Sequence, residues 1–171
     1  NRTPAGAGSL TTWTWSAWVK LGSGLSTYRD LFTCGSSPWC DIYFNTDNTL
    51  IFAQYTAGVV GNKQTSQVFR DPSAWYHIVC VWDTTNATAA NRMRIYVNGS
   101  QVTSFAGSTD PALNTTSTIN TAAAHAIGRD IAGTNYFDGY LAEVNFIDGQ
   151  ALTPSSFGQF NPTTGVWQPI K

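Results

Sequence analysis

The stretch TWTWSAWVK, residues 12–20, indicates the fold class. Its side chains alternate between two faces, with Trp13, Trp15 and Val19 on one face and Trp18 and Lys20 on the other. Successive side chains of a β-strand point to opposite faces of a sheet, so this alternation predicts a strand with a buried face. Because Trp18 also places an aromatic ring on the second face, we expect that face to be covered by a partner.

The same period-two pattern recurs at short intervals and is broken by Gly, Asn, Asp and Pro, which is typical of a sandwich or barrel. Further strands are predicted at 28–34, 39–45, 49–55, 64–69, 75–83, 92–98, 101–105, 123–129 and 137–147. Asn98-Gly99 predicts a two-residue hairpin turn, because such turns need positive φ at both central positions. The stretch 106–121 is rich in Ser, Thr, Asn and Pro and predicts a long surface loop.

Helical signals are sparse. Thr153 followed by Pro154 combines an N-cap hydroxyl with a proline at the first helical position, so one short helical turn is predicted near the C-terminus. About ten short antiparallel strands with almost no helix bury their apolar faces by packing two sheets together. The sequence therefore predicts an all-β sandwich.

Composition excludes several classes of function. The chain has 171 residues with 42% hydrophobic content, which suits one domain with a real core, and only 11% of residues are charged. The formal net charge of -1 suits neither a nucleic-acid backbone nor an anionic membrane. No apolar run is long enough for a membrane-spanning helix. We therefore expect no nucleic-acid partner and no membrane insertion.

The three cysteines are an odd number without metal-ligand spacing, so at least one thiol stays unpaired within the chain. Reduced thiols are the favoured state, and a bridge between Cys34 and Cys40 is left open. The chain begins without Met and ends in an extended, proline-containing run. Residues 1–171 are expected to form a single domain that is a piece of a longer chain.

Five segments, in this order, resemble the motifs of laminin G-like domains among the concanavalin A-like lectin and glucanase jelly rolls. They are WSAWVK (15–20), WYHIV (75–79), IYVNG (95–99), IGR (127–129) and FDGYLAEV (137–144). The segments FIDGQALTPSSFG (146–158) and TGVW (164–167) resemble the version found in structural proteins of tailed bacteriophages. The resemblance implies an antiparallel two-sheet jelly-roll sandwich located on a virion.

Two departures from the family pattern affect partners and activity. The chain starts late and stops early relative to the family, or keeps only remnants of the first and last strands. Copies of the chain or other virion proteins are therefore expected to complete the sheets, and a homo-oligomer is predicted. The second departure is that Ala142 stands where family members often have Asp, which leaves Glu143 without its acidic neighbour.

This second departure bears on catalysis. Glucanases of this fold use two carboxylates, about 5–5.5 Å apart in retaining enzymes, and two such groups on one strand must be an even number of residues apart. Asp138 and Asp148 are each five positions from Glu143 and so lie on the opposite face of a regular strand. The sequence therefore predicts that the chain is not an enzyme, with a laminarinase-like hydrolase as a less favoured alternative.

The histidines and most strand tryptophans are assigned structural roles. His77 and His125 have no neighbouring motif that would position a nucleophile and an orienting acid, so both are interpreted as hydrogen-bonded structural imidazoles. Four tryptophans that alternate within predicted strands are assigned to the core. They are Trp13, Trp15, Trp75 and Trp82.

Loop aromatic residues are the candidates for glycan contact. An indole or phenol ring stacks on the apolar face of a sugar while amides supply hydrogen bonds, and the residues proposed for this are Trp39, Tyr55, Tyr136 and Asn135. Packing in the core is the competing interpretation of these aromatic side chains. The pattern still favours a loop-decorated sandwich with a sugar site.

Calcium is the candidate cofactor, because jelly-roll lectins often use it and loop Asp and Asn oxygens are hard ligands. The predicted ligands are Asn45, Asp47, Asp130 and Asp138. The competing interpretation is that these residues stabilise turns, since their side chains hydrogen-bond to nearby backbone.

Together these features predict a non-catalytic virion surface or tail-associated domain that binds cell-surface glycans of the host. The rival hypothesis is a structural module that contacts copies of itself or other virion proteins and has no sugar site. Fold alone does not separate these two functions, because function depends on the site that a fold carries.

Overall fold

Two antiparallel sheets face each other in the computed structural model, which describes residues 1–170. The five-stranded sheet contains β1 (Thr12–Leu21), β6 (Trp75–Asp83), β7 (Met93–Val97), β8 (Ser100–Gln101) and β11 (Gly139–Asp148), in the order β11-β1-β6-β7-β8. The six-stranded sheet contains β2 (Arg29–Cys34), β3 (Trp39–Phe44), β4 (Thr49–Tyr55), β5 (Val59–Val68), β9 (Phe105–Thr109) and β10 (His125–Ile127), in the order β10-β2-β3-β4-β5-β9. A separate hairpin pairs β12 (Gly158–Phe160) with β13 (Trp167–Pro169). The predicted all-β, two-sheet sandwich is confirmed.

The core lies between the two sheets and is rich in aromatic side chains. β1 pairs with β6 on one side and with β11 on the other, and its inward residues Trp13 and Trp15 are fully buried. Trp13 stacks on Trp82 of the same sheet, with ring centroids 6.3 Å apart, and contacts Phe52 of the facing sheet at 5.5 Å. These rings join the sheets, as the alternation within residues 12–20 predicts.

The predicted turn and helical turn are both present. Asn98 and Gly99 have φ of 48° and 82° and connect β7 to β8 as an antiparallel hairpin. A single 3-10 turn spans Pro154–Ser156, and a second one, not predicted, spans Ala89–Asn91. No helix within residues 1–170 has the length and apolar character needed to cross a membrane.

Two predictions about chain segments are wrong. The long surface loop predicted at 106–121 begins as a strand instead, because β9 pairs with β5 at the edge of the six-stranded sheet. The strand predicted at 101–105 breaks after Gln101. An edge strand has one neighbour and few buried side chains, so its residues are polar and small and show little alternation.

The assignment of Trp75 to the core is also wrong. Trp75 is 41% exposed, whereas Trp82 on the same strand is fully buried. The two positions are seven apart, an odd number, so a regular strand directs them to opposite faces. Trp75 therefore belongs to the outward face of the five-stranded sheet.

The second face of β1 is covered in part by the chain itself. Trp18 stacks on His77 of β6, with ring centroids 5.0 Å apart. The His77 ring accepts a hydrogen bond at Nδ1 from the Trp167 indole of β13 at 3.0 Å, and its Nε2 lies 2.9 Å from the hydroxyl of Ser16. His77 is thus a buried, hydrogen-bonded imidazole, and burial lowers its pKa to about 4.

His125 begins β10 and is held in the same manner. The backbone N–H of Asn120 donates to Nε2 at 2.9 Å, and Nδ1 lies 2.9 Å from the carbonyl of Ala123. Arg2 forms an isolated antiparallel bridge with His125. The N-terminal segment thus pairs with the edge of the six-stranded sheet at this one position.

All three thiols are free and buried. Cys34 and Cys40 stand directly opposite each other in the register of β2 and β3, and the Cys34 thiol donates to the carbonyl of Thr118 at 3.1 Å. Burial raises the pKa of Cys34 to about 11, so its reactive thiolate is scarce at neutral pH. The reduced state is the one favoured from the sequence.

Candidate functional site

The outer face of the six-stranded sheet carries the candidate site. Along β3, Cys40, Ile42 and Phe44 point into the core, and the alternate residues point outward. Those outward residues are Trp39, Asp41 and Tyr43. A tryptophan, a carboxylate and a phenol are thereby displayed in one row.

The first part of the site is an aromatic platform. The register of β3 and β4 places Trp39 directly opposite Tyr55, and their rings stack nearly parallel, with centroids 5.4 Å apart at 10°. Both side chains are half-buried. Tyr43 forms a second, tilted aromatic pair with the exposed Tyr28 at 6.1 Å. The face therefore offers flat apolar surface that water reaches.

The second part is a pair of carboxylates on neighbouring strands. Asp30 of β2 lies opposite Tyr43, and Asp41 of β3 lies opposite Thr33. Asp30 is only 2% exposed. Asp30 Oδ2 and Asp41 Oδ1 are buried and accept no hydrogen bond from residues 1–170. Buried polar atoms are nearly always partnered, so these two oxygens are the exceptional polar groups of this face.

The third part is the segment 128–138, which follows β10 and lies along β2. The hydroxyl of Thr33 donates to the carbonyl of Arg129 at 3.1 Å, and the backbone N–H of Asp30 donates to the carbonyl of Asn135 at 3.0 Å. These bonds fix Asp130 and Asn135 beside the two carboxylates. The exposed ring of Tyr136 is next to Asn135 in the same segment.

Burial raises the pKa of both carboxyl groups. Burial raises the pKa of Asp30 to about 7; the neighbouring Asn135 side chain opposes this shift and the charge of Asp130 adds to it. Burial raises the pKa of Asp41 to about 8, with further increases from Asp30 and Asp130. Both carboxyl groups are therefore protonated more readily than an exposed Asp, and a protonated carboxyl can donate a hydrogen bond as well as accept one.

The structure collects half of the predicted site residues on this face. The residues brought together are Trp39, Tyr55, Asp130 and Asn135, and Tyr136 follows Asn135 with its ring exposed. Asn45 and Asp47 occupy the β3–β4 turn, where Gln64 of the same sheet donates to Asp47 at 3.2 Å. Asp138 lies apart, where its carboxylate accepts the backbone N–H of Gly24 at 2.8 Å.

The four predicted calcium ligands thus occupy two loops, Asn45 and Asp47 the β3–β4 turn and Asp130 and Asp138 opposite ends of the segment 128–138. Asp47 accepts the backbone N–H of Thr49 at 3.0 Å, and Asp130 accepts both the backbone N–H and the hydroxyl of Thr134. These are bonds of the kind that stabilise turns. Within residues 1–170, no three His, Cys, Asp or Glu side chains form a group that could hold a metal ion. Calcium binding stays a prediction, with oxygens of the backbone as the further ligands that each loop would need.

Calcium binding by any of these loops predicts a melting temperature that falls when a chelator is added and rises with added calcium, by mass action. Differential scanning calorimetry of Asp47→Asn, Asp130→Asn and Asp138→Asn identifies the loop, because only the variant that loses a ligand loses the calcium response. A melting curve of the unchanged protein that responds to neither calcium nor chelator contradicts the prediction.

Sequence reasoning missed Asp30 and Asp41. Both lie inside predicted strands, where Asp is an unfavourable residue, and that mismatch with strand propensity is the signal that marks them. The position of Asp30 was further obscured by the register shift between Asp30 and Phe32, which breaks regular alternation along β2.

A family comparison agrees with this architecture. The laminin G model described as the concanavalin A-like lectin/glucanases superfamily matches residues 2–156. The chain belongs to this superfamily. A comparison with curated proteins finds no match.

Solved structures of other members of this fold resemble the domain. A heptameric SAP-like pentraxin from Limulus polyphemus is 19% identical with a TM-score of 0.60, covering 90% of this chain and 71% of the pentraxin. Domain 4 of an extracellular GH43 arabinanase from Geobacillus stearothermophilus, in complex with arabinotriose, is 21% identical with a TM-score of 0.61, covering 85% and 64%. Domains LG4-5 of the mouse laminin alpha1 chain are 12% identical with a TM-score of 0.56, covering 88% and 39%. At these identities the likeness concerns the fold.

Proposed function

We propose that this superfamily domain binds glycans without cleaving them, through the outer face of its six-stranded sheet. The observation that carries the proposal is the stacked pair Trp39 and Tyr55 beside two carboxylates, Asp30 and Asp41, that have unpartnered oxygens. A pyranose or furanose ring has an apolar face and a rim of hydroxyls. A flat aromatic surface next to hydrogen-bonding groups is therefore complementary to it.

The outer face of the six-stranded sheet provides both the flat aromatic surface and the hydrogen-bonding groups. The Trp39 and Tyr55 rings offer the flat surface, and the Asp30 and Asp41 carboxyl groups are the polar groups beside it, reached by a hydroxyl once the side chains around their buried oxygens move. Asn135 sits at the border of the site, where its exposed amide offers both donors and an acceptor. The arabinotriose bound to the similar arabinanase domain is a further precedent for a sugar ligand on this fold.

We further propose that the domain is carried on a tailed-bacteriophage virion and that its ligand is a host-surface glycan. The support is the resemblance of segments 146–158 and 164–167 to virion structural proteins. A virion displays many copies of each protein, so weak sugar contacts at each copy add up to firm attachment. Homo-oligomerisation belongs to the same proposal, and other virion proteins are its remaining expected partners.

Replacing Trp39 by Ala is expected to weaken binding of the best glycan on a surface-polysaccharide array by about five- to thirtyfold, because an aromatic contact of roughly 1–2 kcal/mol is lost. Isothermal titration with that glycan gives the affinity. Tyr140→Ala is the matched control, since Tyr140 is 67% exposed on the other sheet and its loss should leave the affinity unchanged.

An array with no signal for any glycan contradicts the sugar site and favours the rival structural module. Self-association is expected in either case and is tested on the same sample by light scattering at micromolar concentration, where a strictly monomeric protein contradicts the homo-oligomer. Binding that survives Trp39→Ala intact places the sugar somewhere other than the outer face of the six-stranded sheet.

The Asp30 and Asp41 pair gives a specific reason to keep glycoside hydrolysis as a second candidate. Paired carboxylates whose pKa values are raised by burial are the groups that serve as general acid and base in glycosidases. Release of reducing ends from the bound glycan by the unaltered protein, lost in Asp41→Asn, would replace the binding proposal with this one.

A further inference from the structure

A second cleft lies on the outer face of the five-stranded sheet, on the opposite side of the sandwich from the proposed sugar site. Its volume is about 300 Å³, and three of its seven lining residues are tryptophans: Trp18 of β1, Trp75 of β6 and Trp167 of β13. Glu143 and Gln168 are the polar side chains that line it. We name it the tryptophan cleft.

Two of the indoles are held in fixed positions. Trp18 stacks on His77 at 5.0 Å, and the indole N–H of Trp167 donates to His77 Nδ1 at 3.0 Å. Trp167 also lies against Gly99 and Gly158, where an added Cβ would come within 2.4 Å and 2.6 Å of indole carbons. The cleft is therefore preorganised, so ligand binding costs little conformational entropy of these side chains.

Glu143 stands in an unusual backbone conformation at the edge of the cleft. Its φ is 49°, in the left-handed region that non-glycine residues rarely adopt, next to the register shift that β11 makes opposite Ser16 and Trp18. Such conformations persist where the surrounding structure imposes them, and they concentrate at functional sites. Glu143 forms no salt bridge within residues 1–170.

Among residues 1–170, Lys20 is a cation beside the cleft, and it is not part of the cleft lining. Lys20 lies opposite Trp75 and Tyr140 in the register of the sheet, and its charge acts on Asp71, whose pKa is lowered first by hydrogen bonds from Ser73 and also by Lys20. Among residues 1–170, the cation–π contacts involve Phe44 and Phe105, and none involves an indole of the tryptophan cleft.

We propose that the tryptophan cleft binds a methylated ammonium group. Indole faces attract cations more strongly than other aromatic rings do, and the Glu143 carboxylate adds an opposite charge at the same place. A sugar is the poorer fit, because its hydroxyls need several hydrogen-bonding partners and three of the seven lining residues are tryptophans. This site is separate from the proposed sugar site and does not depend on it.

The test compares choline with dimethylbutanol, an uncharged isostere in which carbon replaces the nitrogen. Each is titrated into the full chain at constant ionic strength, and the indole N–H signals are followed by NMR. Choline is expected to shift the signals of Trp75 and Trp167 with saturation, and dimethylbutanol is expected to bind about fivefold or more weakly.

Variants locate the binding. Glu143→Gln should weaken choline binding about threefold or more, and Trp75→Ala should abolish saturation; Trp75 is 41% exposed, so its loss should leave the fold intact by circular dichroism. Trp39→Ala, on the other sheet, is the control and should bind choline normally. The proposal is overturned by any of three results: equal binding of choline and dimethylbutanol, no saturable binding of either, or tighter binding of a methyl glycoside. None of these outcomes bears on the Trp39 site.

Discussion

Replacing Trp15 by Ala is expected to lower the free energy of unfolding by about 3–5 kcal/mol, because the change removes a fully buried indole and leaves a cavity between the sheets. The Trp15 ring stacks on Phe32 of the facing sheet, with centroids 6.2 Å apart at 15°. Its strand, β1, has a neighbour on each side, so the surrounding backbone has little freedom to collapse into the space. Urea denaturation followed by circular dichroism measures the loss.

Trp75→Ala is the matched control for this measurement. The same side chain is removed from the same sheet, but Trp75 is 41% exposed, so the expected cost is below about 1 kcal/mol. The indole N–H of Trp15 has no hydrogen-bond partner in the structure, so the expected loss comes from packing alone. Equal costs for the two variants would contradict the assignment of Trp15 to the core and Trp75 to the surface.

These two tryptophans also indicate how far the sequence predicts the fold. Alternation over residues 12–20 correctly places Trp13 and Trp15 in the core, because period-two patterning directly reflects burial of one face. Trp75 was assigned by residue type, although its odd separation from Trp82 places the two on opposite faces. The spacing therefore predicts that Trp75 points outward, whereas its hydrophobic residue type favours the core.

The candidate site was predictable only in part, for a different reason. Trp39, Tyr55 and Asn135 are visible in the sequence as residue types suited to glycan contact, but Trp39 and Tyr55 lie at strand ends, not in loops, and their convergence depends on sheet order. Asp30 and Asp41 meet because β2 and β3 are neighbours with a shifted register, which no local pattern specifies.

The tryptophan cleft was not predictable from local sequence either, because its residues are far apart along the chain. Trp167 reaches His77 across 90 positions of sequence, through a hairpin whose strands are three residues each. Strands this short carry too few residues to display a periodicity. Trp18 indicates in the sequence that the second face of β1 is aromatic. The sequence does not indicate that the C-terminal segment of the chain itself covers that face.

Replacing Asp30 by Asn is expected to stabilise the protein at alkaline pH by about 2–4 kcal/mol and to change little at pH 4. Burial raises the pKa of Asp30 from an ordinary 3.8 to about 7, so the folded protein binds more protons than the unfolded chain between those values. Stability attributable to Asp30 is therefore fully present below about pH 4 and is lost as pH rises through about 7. Asn keeps the shape and removes the charge.

Measuring the difference between variant and parent isolates Asp30, because other groups add pH dependence of their own; burial of His77, for example, lowers its pKa and acts in the opposite direction. Urea denaturation at pH 4, 6, 7 and 9 should give a stability difference that grows with pH and levels off above about pH 8. Asp47→Asn is the control of opposite sign, since hydrogen bonds from Thr49 lower the pKa of Asp47 and its charged form is the stabilising one. A stability difference for Asp30→Asn that is constant across this range would mean that Asp30 is solvated, and the paired-carboxylate description of the sugar site would fail with it.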